Sequence, residues 1–278
     1  MIFQWYPGHM TKAKRAMQED IKLVDLVIEL LDARVPMASR NPDINELAKN
    51  KSRVVILNKA DLADPKKNEM WKECLTKEGV YTCLMDSRSR NGMKNVSDII
   101  EKACEKKFER DRKRGILRRP VRAMIVGIPN VGKSTFINSY AKKACAKTGN
   151  KPGVTKGKQW VKLSKDVELL DTPGILWPKF EDQEVGLRLA LIGSIKDEIL
   201  NTEELATELI RFFLTSYPEI IAEDKNAAAS DDPYAILESY TRRRNCMGKG
   251  GSMDTEKGAV LLLDDFRNGK LGRITLEE

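Results

Sequence analysis

The sequence predicts a parallel α/β domain followed by a small all-α domain. Short apolar runs typical of buried strands alternate with helical patterns, and three of these runs lead directly into turns with glycine or asparagine. Beyond about residue 179 the strand patterns fade, and helical periodicity continues between polar and glycine-rich breaks. We therefore expect one domain at 1–178 and a second at 179–278.

The predicted elements follow from these alternating patterns. The strands are Leu26–Leu31, Val54–Leu57, Tyr81–Met85, Val121–Val126, Gln159–Leu163 and Val167–Leu170. The helices of the first domain are Thr11–Val24, Pro42–Lys49, Pro65–Glu78, Val96–Phe108 and Lys133–Lys142. Those of the second domain are Glu203–Tyr217, Tyr234–Arg244 and Thr255–Asn268. The charged segment 109–119 is expected to form a linker or a surface helix.

The composition argues against several classes of protein. The chain has no run of about 18 apolar residues that could span a membrane, and its first residues lack the features of a signal peptide. Its five cysteines are scattered without a Cys-x-x-Cys pair, which argues against a disulfide framework and a zinc site. We expect a cytoplasmic protein with reduced thiols, no membrane contact and a monomeric state.

The net charge of +8 is unevenly distributed along the chain. Basic side chains are in excess over residues 1–178, whereas acidic side chains are in excess over residues 179–238. A basic surface suggests a polyanionic partner, for which RNA is the best candidate. An ordinary solvated surface would explain the same composition.

The segment Gly127–Ser134 has the pattern Gly-x-x-x-x-Gly-Lys-Ser and lies between an apolar strand and a helix. Glycine backbone can wrap closely around phosphates, while the loop amides and the helix N-terminus face the anion. We expect Lys133 to reach the β- and γ-phosphates and Ser134 to bind Mg²⁺. The residues expected to contact the nucleotide here are Asn130, Val131, Gly132, Lys133, Ser134 and Thr135.

Two further segments are expected to complete the magnesium and γ-phosphate site. The turn Asp171-Thr-Pro-Gly174 follows an apolar strand, so that Asp171 would hold Mg²⁺ through water and the Gly174 amide would sense the γ-phosphate. Thr155 lies between the phosphate loop and this turn, where a mobile magnesium-binding loop belongs. Both sequences also occur as ordinary turns, so these assignments depend on the phosphate loop.

The segment Asn58-Lys59-Ala-Asp61 predicts recognition of guanine. The Asp61 carboxylate can accept hydrogen bonds from guanine N1 and the 2-amino group together, whereas adenine presents no such pair of donors. Lys59 would lie along the face of the base. Asp86 and Ser87, which follow the next strand, are placed to support the base contact. Together the motifs predict binding of GTP and GDP.

The base-reading segment precedes the phosphate loop, which reverses the usual order of these motifs. The same sheet can be built if the chain is circularly permuted and leaves the sheet after the turn at 171–174. The predicted fold is therefore a circularly permuted P-loop GTPase fold, a parallel-rich sheet with flanking helices, followed by the small all-α domain. Because the γ-phosphate sensor leads into the C-terminal helices, we hypothesise that hydrolysis repositions that domain.

Two additional segments carry a resemblance to a known family. Trp5-Tyr6-Pro7-Gly8-His9-Met10 opens the chain, and Asp32-Ala-Arg34-Val-Pro36 follows the first predicted strand. With the nucleotide motifs, this arrangement resembles the circularly permuted GTPases, and most closely the ribosome biogenesis GTPase A family of bacteria, from residue 5 to about 178 and more weakly beyond. The resemblance implies GTP hydrolysis, binding to a late precursor of the large ribosomal subunit, release on hydrolysis, and a helical tail that helps to hold rRNA.

The residue that activates water is not evident. Ile175 occupies the position where many small GTPases have a water-orienting glutamine. The only histidine, His9, could orient or deprotonate water, and the resemblance also points to His9 as catalytic; packing or ribosome contact is the alternative. Asn130 suggests a K⁺ ligand, because related potassium-activated GTPases use an asparagine there, although Pro-Asn can simply shape the turn. Such a K⁺ would stabilise developing charge.

Two basic segments are candidates for RNA contact. Residues Lys142–Lys165 include eight lysines and no acid, and are expected to be disordered without an anionic partner. Trp160 lies in this segment and is expected in the core because it fits a strand, with base stacking as the alternative. The cluster Arg242-Arg243-Arg244 is either a solvated helix end or an RNA contact.

Three functions remain open from the sequence. The first is a GTP-hydrolysing assembly factor that acts on the large ribosomal subunit, stimulated by that subunit. The second is a GTPase in RNA modification or signalling. The third is a non-enzymatic, nucleotide-gated RNA-binding module, which the missing glutamine keeps open. The resemblance favours the first.

Overall fold

The computed structural model describes residue 15 and residues 17–116, 119–141, 160–170, 182–223, 230–248 and 251–278. These residues belong to two compact units. The first unit contains the described residues up to Leu170 together with Glu277 and Glu278. The second unit runs from Asp182 to Leu276.

The strands of the first unit form one sheet. Within the described residues they are β1 Leu26–Asp32, β2 Ser52–Asn58, β3 Tyr81–Met85, β4 Val121–Val126, β5 Trp160–Lys162 and β6 Val167–Leu170, in the order β3-β2-β1-β4-β6-β5. All neighbouring pairs are parallel except β5 with β6. Every residue of β1 is buried, as expected for a central parallel strand covered on both faces. The predicted parallel-rich sheet is confirmed.

Helices flank the sheet at nearly the predicted positions. In the described residues they are Ile44–Leu47, Pro65–Lys77, Met93–Ala103, Glu105–Lys113 and Lys133–Ala141, preceded by helical residues at 17–21. The helix predicted at Val96–Phe108 is two helices that meet at the buried Cys104, where φ is −100° and ψ is 7°. The second helix, Glu105–Lys113, includes the first part of the charged segment 109–119. Of the two alternatives predicted for that segment, the structure therefore shows a helix as far as Lys113.

Two apolar clusters hold the first helical segment and the Ile44–Leu47 and Pro65–Lys77 helices against the sheet. One joins the first helical segment and the Ile44 helix to β1, β4 and β6, through Met17, Ile21, Val24, Val27, Ile44, Ala48, Met124, Val126 and Leu170. The other packs the Pro65–Lys77 helix and its flanking loops on β1 and β2, through Leu31, Ala33, Val55, Leu57, Ala63, Leu75 and Val80. The close packing fixes the strand ends from which the site residues emerge.

Trp160 does not lie in the core, and that prediction is wrong. It belongs to β5, a three-residue strand at the edge of the sheet, and is 39% exposed. Its ring lies 5.0 Å from the Arg122 guanidinium. An edge strand has a neighbour on one side only, so the strand pattern predicted the element but not the burial of this residue. Base stacking by Trp160 stays open.

In the residues that the structure describes, the regular elements of the second unit are all helices. Its helices are Gln183–Leu191, Thr202–Ser216, Pro218–Ala222, Pro233–Arg243 and Thr255–Arg267, with a 3₁₀ turn at Asp197–Ile199. Asn201, Asp232 and Asp254 accept hydrogen bonds from first-turn amides and so cap three of these helices. Arg267 donates to the Leu191 carbonyl at 2.9 Å and pairs with Asp197 at 2.6 Å. Among the described helices, none is long and apolar enough to cross a bilayer.

The helices Pro233–Arg243 and Thr255–Arg267 pack tightly at Gly258. A Cβ atom there would lie 2.0 Å from the Thr241 Oγ1 atom, and Thr241 is fully buried. We expect Gly258→Ala to lower the free energy of unfolding by about 1–3 kcal/mol, because two packed helices must move apart. Chemical denaturation measures this loss.

The matched control is Val260→Ala, on the same helix at a side chain that is 44% exposed. It should change the free energy of unfolding by at most about 0.5 kcal/mol. A Gly258→Ala protein as stable as this control would mean that the helices separate at little cost.

Candidate functional site

The described nucleotide segments follow the carboxyl ends of their strands, and in a parallel sheet these ends lie on the same side. β2 ends at Asn58, β3 is followed by Asp86, and β4 leads into Gly127. Leu170, the last residue of β6, is paired with Met124 of β4, so the strand that precedes Asp171 ends beside the phosphate loop. The predicted residues His9, Thr155, Asp171 and Gly174 lie outside the described residues.

The phosphate loop joins β4 to the helix Lys133–Ala141 through two left-handed backbone positions. Asn130 has a φ of 60° and Gly132 a φ of 100°. The Lys133 ammonium donates to the carbonyl oxygens of Gly127 at 2.8 Å and Ile128 at 2.7 Å, which holds the side chain across the loop. Ser134 and Thr135 follow in the first helical turn and are partly exposed. A loop of this kind directs backbone amides toward an anion.

Asn58 connects the base-reading segment to two other loops. Its Nδ2 donates to the Val131 carbonyl oxygen at 2.8 Å, and its Oδ1 accepts from the Ser87 amide at 3.2 Å and the Ser87 hydroxyl at 2.7 Å. Asn58 and Ser87 are both buried. The structure therefore brings together three predicted segments, the phosphate loop, the Asn58 turn and the loop after β3, through one amide side chain.

Lys59 forms an ion pair that the sequence reasoning did not predict. Its ammonium lies 2.9 Å from the Asp32 Oδ2 atom, at the end of the neighbouring strand β1. Arg34 donates to the same carboxylate through Nε at 2.9 Å and Nη2 at 2.8 Å. Burial alone would raise the pKa of Asp32, but the charges of Arg34 and Lys59 hold that pKa well below its usual range. From the sequence, only the family resemblance pointed to Asp32 and Arg34, and it did not predict their contact with Lys59.

Asp61 and Asp86 differ in what surrounds their carboxylates. Asp61 lies at the surface, but the neighbouring protein atoms remove part of its hydration, and this desolvation together with the Asp86 carboxylate raises its pKa, against the opposing charges of Arg88 and Arg34. Asp86 accepts from the Arg88 amide at 2.8 Å and from the Ser89 hydroxyl. Burial would raise the pKa of Asp86, yet these hydrogen bonds lower it. Asp86 thus shapes its own loop, whereas the exposed Asp61 is accessible to a base.

Among the described residues, the Ser134 hydroxyl suits a magnesium ion bound with phosphate. Ser134 offers a hydroxyl at the start of the Lys133–Ala141 helix, next to the phosphate loop. Asp171 would add a carboxylate directly after β6, the neighbour of β4. Mg²⁺ prefers such oxygen ligands and usually binds through one or two protein groups plus substrate phosphates. The residue types therefore fit Mg²⁺.

Comparisons with known proteins agree with this geometry. A family model described as 50S ribosome-binding GTPase matches residues 122–231. Ribosome biogenesis GTPase A of Priestia megaterium is 46% identical, covering 100% of this chain and 97% of that protein. The Bacillus cereus protein of the same name is 47% identical, covering 100% and 94%. The GNP-bound crystal structure of YlqF from T. maritima has a TM-score of 0.66 at 28% identity, covering 96% of this chain and 98% of that one.

Proposed function

Because this chain belongs to the ribosome biogenesis GTPase A family, we propose that it acts in late assembly of the large ribosomal subunit. As a member of the family it binds guanine nucleotides, hydrolyses GTP and has a role in ribosome biogenesis. Its fold is the circularly permuted P-loop GTPase fold. In the proposed cycle the GTP-bound protein binds a precursor of the large subunit, and hydrolysis accompanies its release.

The observation that carries the nucleotide part of this proposal is the Asn58 bridge. A side chain that bonds Val131 in the phosphate loop and Ser87 in the loop after β3 fixes the distance between a phosphate site and a base site. A guanine nucleotide must span that distance, so both ends can be held at once. The large-subunit part is supported by the description of the family model, 50S ribosome-binding GTPase.

Within this site each side chain has a proposed task. The loop amides and the Lys133 ammonium would bind the phosphates, and Asp61 would accept from the guanine edge. Mg²⁺, held by Ser134, Asp171 and Thr155, would neutralise phosphate charge when bound. The Gly174 amide would sense the γ-phosphate.

Water activation is assigned to His9 and charge stabilisation to K⁺. A neutral imidazole at His9 would orient or deprotonate the attacking water. Asn130 is the proposed K⁺ ligand; its exposed position and left-handed backbone in the phosphate loop support this assignment. A cation there would stabilise charge that develops as the γ-phosphate leaves.

The helical unit presents a basic surface that supports rRNA contact. Arg242–Arg244 are exposed at the end of their helix, and two of their guanidinium groups lie 5.5 and 5.8 Å from the ring centre of Tyr240. Tyr240 donates to the buried Asp265 at 2.6 Å, and Lys270 pairs with the same carboxylate at 2.9 Å. Arg244 pairs with the same carboxylate at 3.1 Å, so the acid at the centre is compensated by two basic side chains. The exposed arginines Arg242 and Arg243 are the candidates for contact with phosphate groups.

The deciding experiment measures GTP turnover with and without purified large ribosomal subunits, in K⁺ and in Na⁺. We expect slow turnover alone, stimulation by large subunits of at least about tenfold, and a lower stimulated rate in Na⁺. Small subunits are the control for non-specific binding to RNA. Equal turnover with and without large subunits would contradict the proposed partner, and equal rates in the two salts would remove the K⁺ role.

A His9→Ala variant tests the water-activating residue in the same assay. We expect its stimulated turnover to fall by roughly 10²-fold or more, because proton transfer from water loses its acceptor. Stimulated turnover at the wild-type rate would rule His9 out. Co-migration with precursor particles on a sucrose gradient separates ribosome assembly from a role in RNA modification or signalling.

A further inference from the structure

A buried charge cluster lies beside the base-reading segment. Asp32 and Arg34 are 0% and 1% exposed, whereas the Lys59 side chain, which closes the cluster, is 21% exposed. The Asp32 carboxylate accepts from Arg34 on both oxygens and from the Lys59 ammonium on Oδ2. Lys59 is thus anchored through its ammonium, while its side chain stays partly exposed.

The backbone at Lys59 adds a second constraint. Its φ of 58° is in the left-handed region, which residues other than glycine rarely adopt. On either side, the Asn58 side chain is fixed by Val131 and Ser87, and the Ala60 amide donates to the Met85 carbonyl at 3.1 Å. Backbone and ammonium are therefore both held, so the four-carbon stem between them has few conformations left.

We propose that Asp32, supported by Arg34, is a positioning residue that sets the affinity for guanine nucleotides by fixing Lys59 along the base before the nucleotide binds. The inference rests on the proposed base site. A lysine side chain loses rotamer entropy when a ligand immobilises it, and an anchored stem avoids this cost. Asp32 touches Lys59 and Arg34, so its effect on the nucleotide passes through Lys59.

Arg34 explains how a buried Asp32 carboxylate can stay charged and hold the Lys59 ammonium. A buried carboxylate paired with one partly exposed lysine would be poorly compensated for its lost hydration. The planar guanidinium binds both oxygens of Asp32, and the Arg34 amide donates to Oδ1 at 3.1 Å. The charges of Arg34 and Lys59 keep the pKa of Asp32 low, so the anchor stays ionised across the range in which the protein would be assayed.

A double-mutant cycle with Asp32→Asn and Lys59→Met tests the proposal by calorimetry of GDP binding. Asn keeps the shape of Asp32 but gives up the charge that anchors Lys59, and Met keeps an apolar stem without the ammonium. Asp32→Asn should weaken GDP binding roughly three- to tenfold in the wild-type background. In the Lys59→Met background the same change should have no further effect, because the anchor is already gone.

The matched control is Ser39→Ala, which removes the hydroxyl that accepts from the Asp32 amide at 3.0 Å and leaves the carboxylate untouched. Its GDP affinity should equal that of the wild type. Undiminished affinity in Asp32→Asn, or an equal loss in both backgrounds, would overturn the proposal, since the latter indicates a general disturbance. If Asp32→Asn does not fold, Asp32→Glu takes its place in the cycle, because it keeps the charge but moves the carboxylate away from the Lys59 ammonium. A loss that disappears in the Lys59→Met background supports the proposal, and unchanged affinity overturns it. Failure of wild-type protein to prefer GDP over ADP would instead count against the base site itself.

Discussion

Replacing Asp61 by Asn should weaken GDP binding by roughly 10³- to 10⁴-fold and create affinity for xanthosine diphosphate. Asparagine has one acceptor oxygen and one donor amide, so it cannot accept from both N1 and the 2-amino group of guanine. Xanthine has a carbonyl oxygen in place of that amino group, and the Asn amide can donate to it. Calorimetry with GDP, xanthosine diphosphate and ADP measures the change.

A matched control isolates the carboxylate at position 61. Asp64→Asn makes the same chemical change three residues away, at the N-cap of the Pro65–Lys77 helix, where Asn caps as well as Asp. Its nucleotide affinities should stay unchanged. If Asp61→Asn gained no affinity for xanthosine diphosphate while losing GDP, the residue would support the loop rather than read the base.

The pKa of Asp61 provides an independent check. Partial desolvation and the neighbouring Asp86 raise that pKa above its ordinary value, so Asp61 takes up a proton at a higher pH than a solvated aspartate does. A protonated Asp61 cannot accept both guanine donors. GDP affinity should therefore fall with decreasing pH through this raised pKa, and the fall should be absent for xanthosine diphosphate bound to Asp61→Asn.

Local sequence patterns predicted the strands and motifs because their causes are local. The bounds of Tyr81–Met85, Val121–Val126 and Val167–Leu170 agree with the structure residue for residue, since apolar runs ended by glycine or polar residues mark buried strands. The position of a motif at a strand end then follows from the parallel sheet. This is why Asn58, Ser87 and Lys133 could be predicted to lie together beyond the carboxyl ends of the strands.

Contacts between distant segments could not be predicted in this way. The Lys59 pair with Asp32 joins residues 27 apart, and the Glu277 carboxylate accepts from the Met37 amide at 2.6 Å across 240 residues. The spacing of apolar residues along a sequence does not indicate which charged side chains will be buried against each other. The exposure of Trp160 was missed for the same reason, because coverage of an edge strand depends on the rest of the fold.

The close approach between the phosphate loop and the base-reading turn should make Gly132 irreplaceable. Its φ is 100°, and a Cβ atom there would lie 2.5 Å from the Asn58 Nδ2 atom. Gly132→Ala would therefore strain the loop backbone and displace the amide that bonds Val131 and Ser87. Each of these effects costs about 1–2 kcal/mol, which together predict a loss of GDP affinity of roughly 10²-fold.

Gly79→Ala separates backbone strain from the collision with Asn58. Gly79 has a φ of 83°, and an added Cβ would meet nothing within 4 Å. This variant should lose some stability in thermal unfolding but keep its GDP affinity, whereas Gly132→Ala should lose affinity beyond any change in stability. Wild-type affinity in Gly132→Ala would mean that Asn58 can move without cost, and that the bridge between the loops does not set the spacing of the base and phosphate sites.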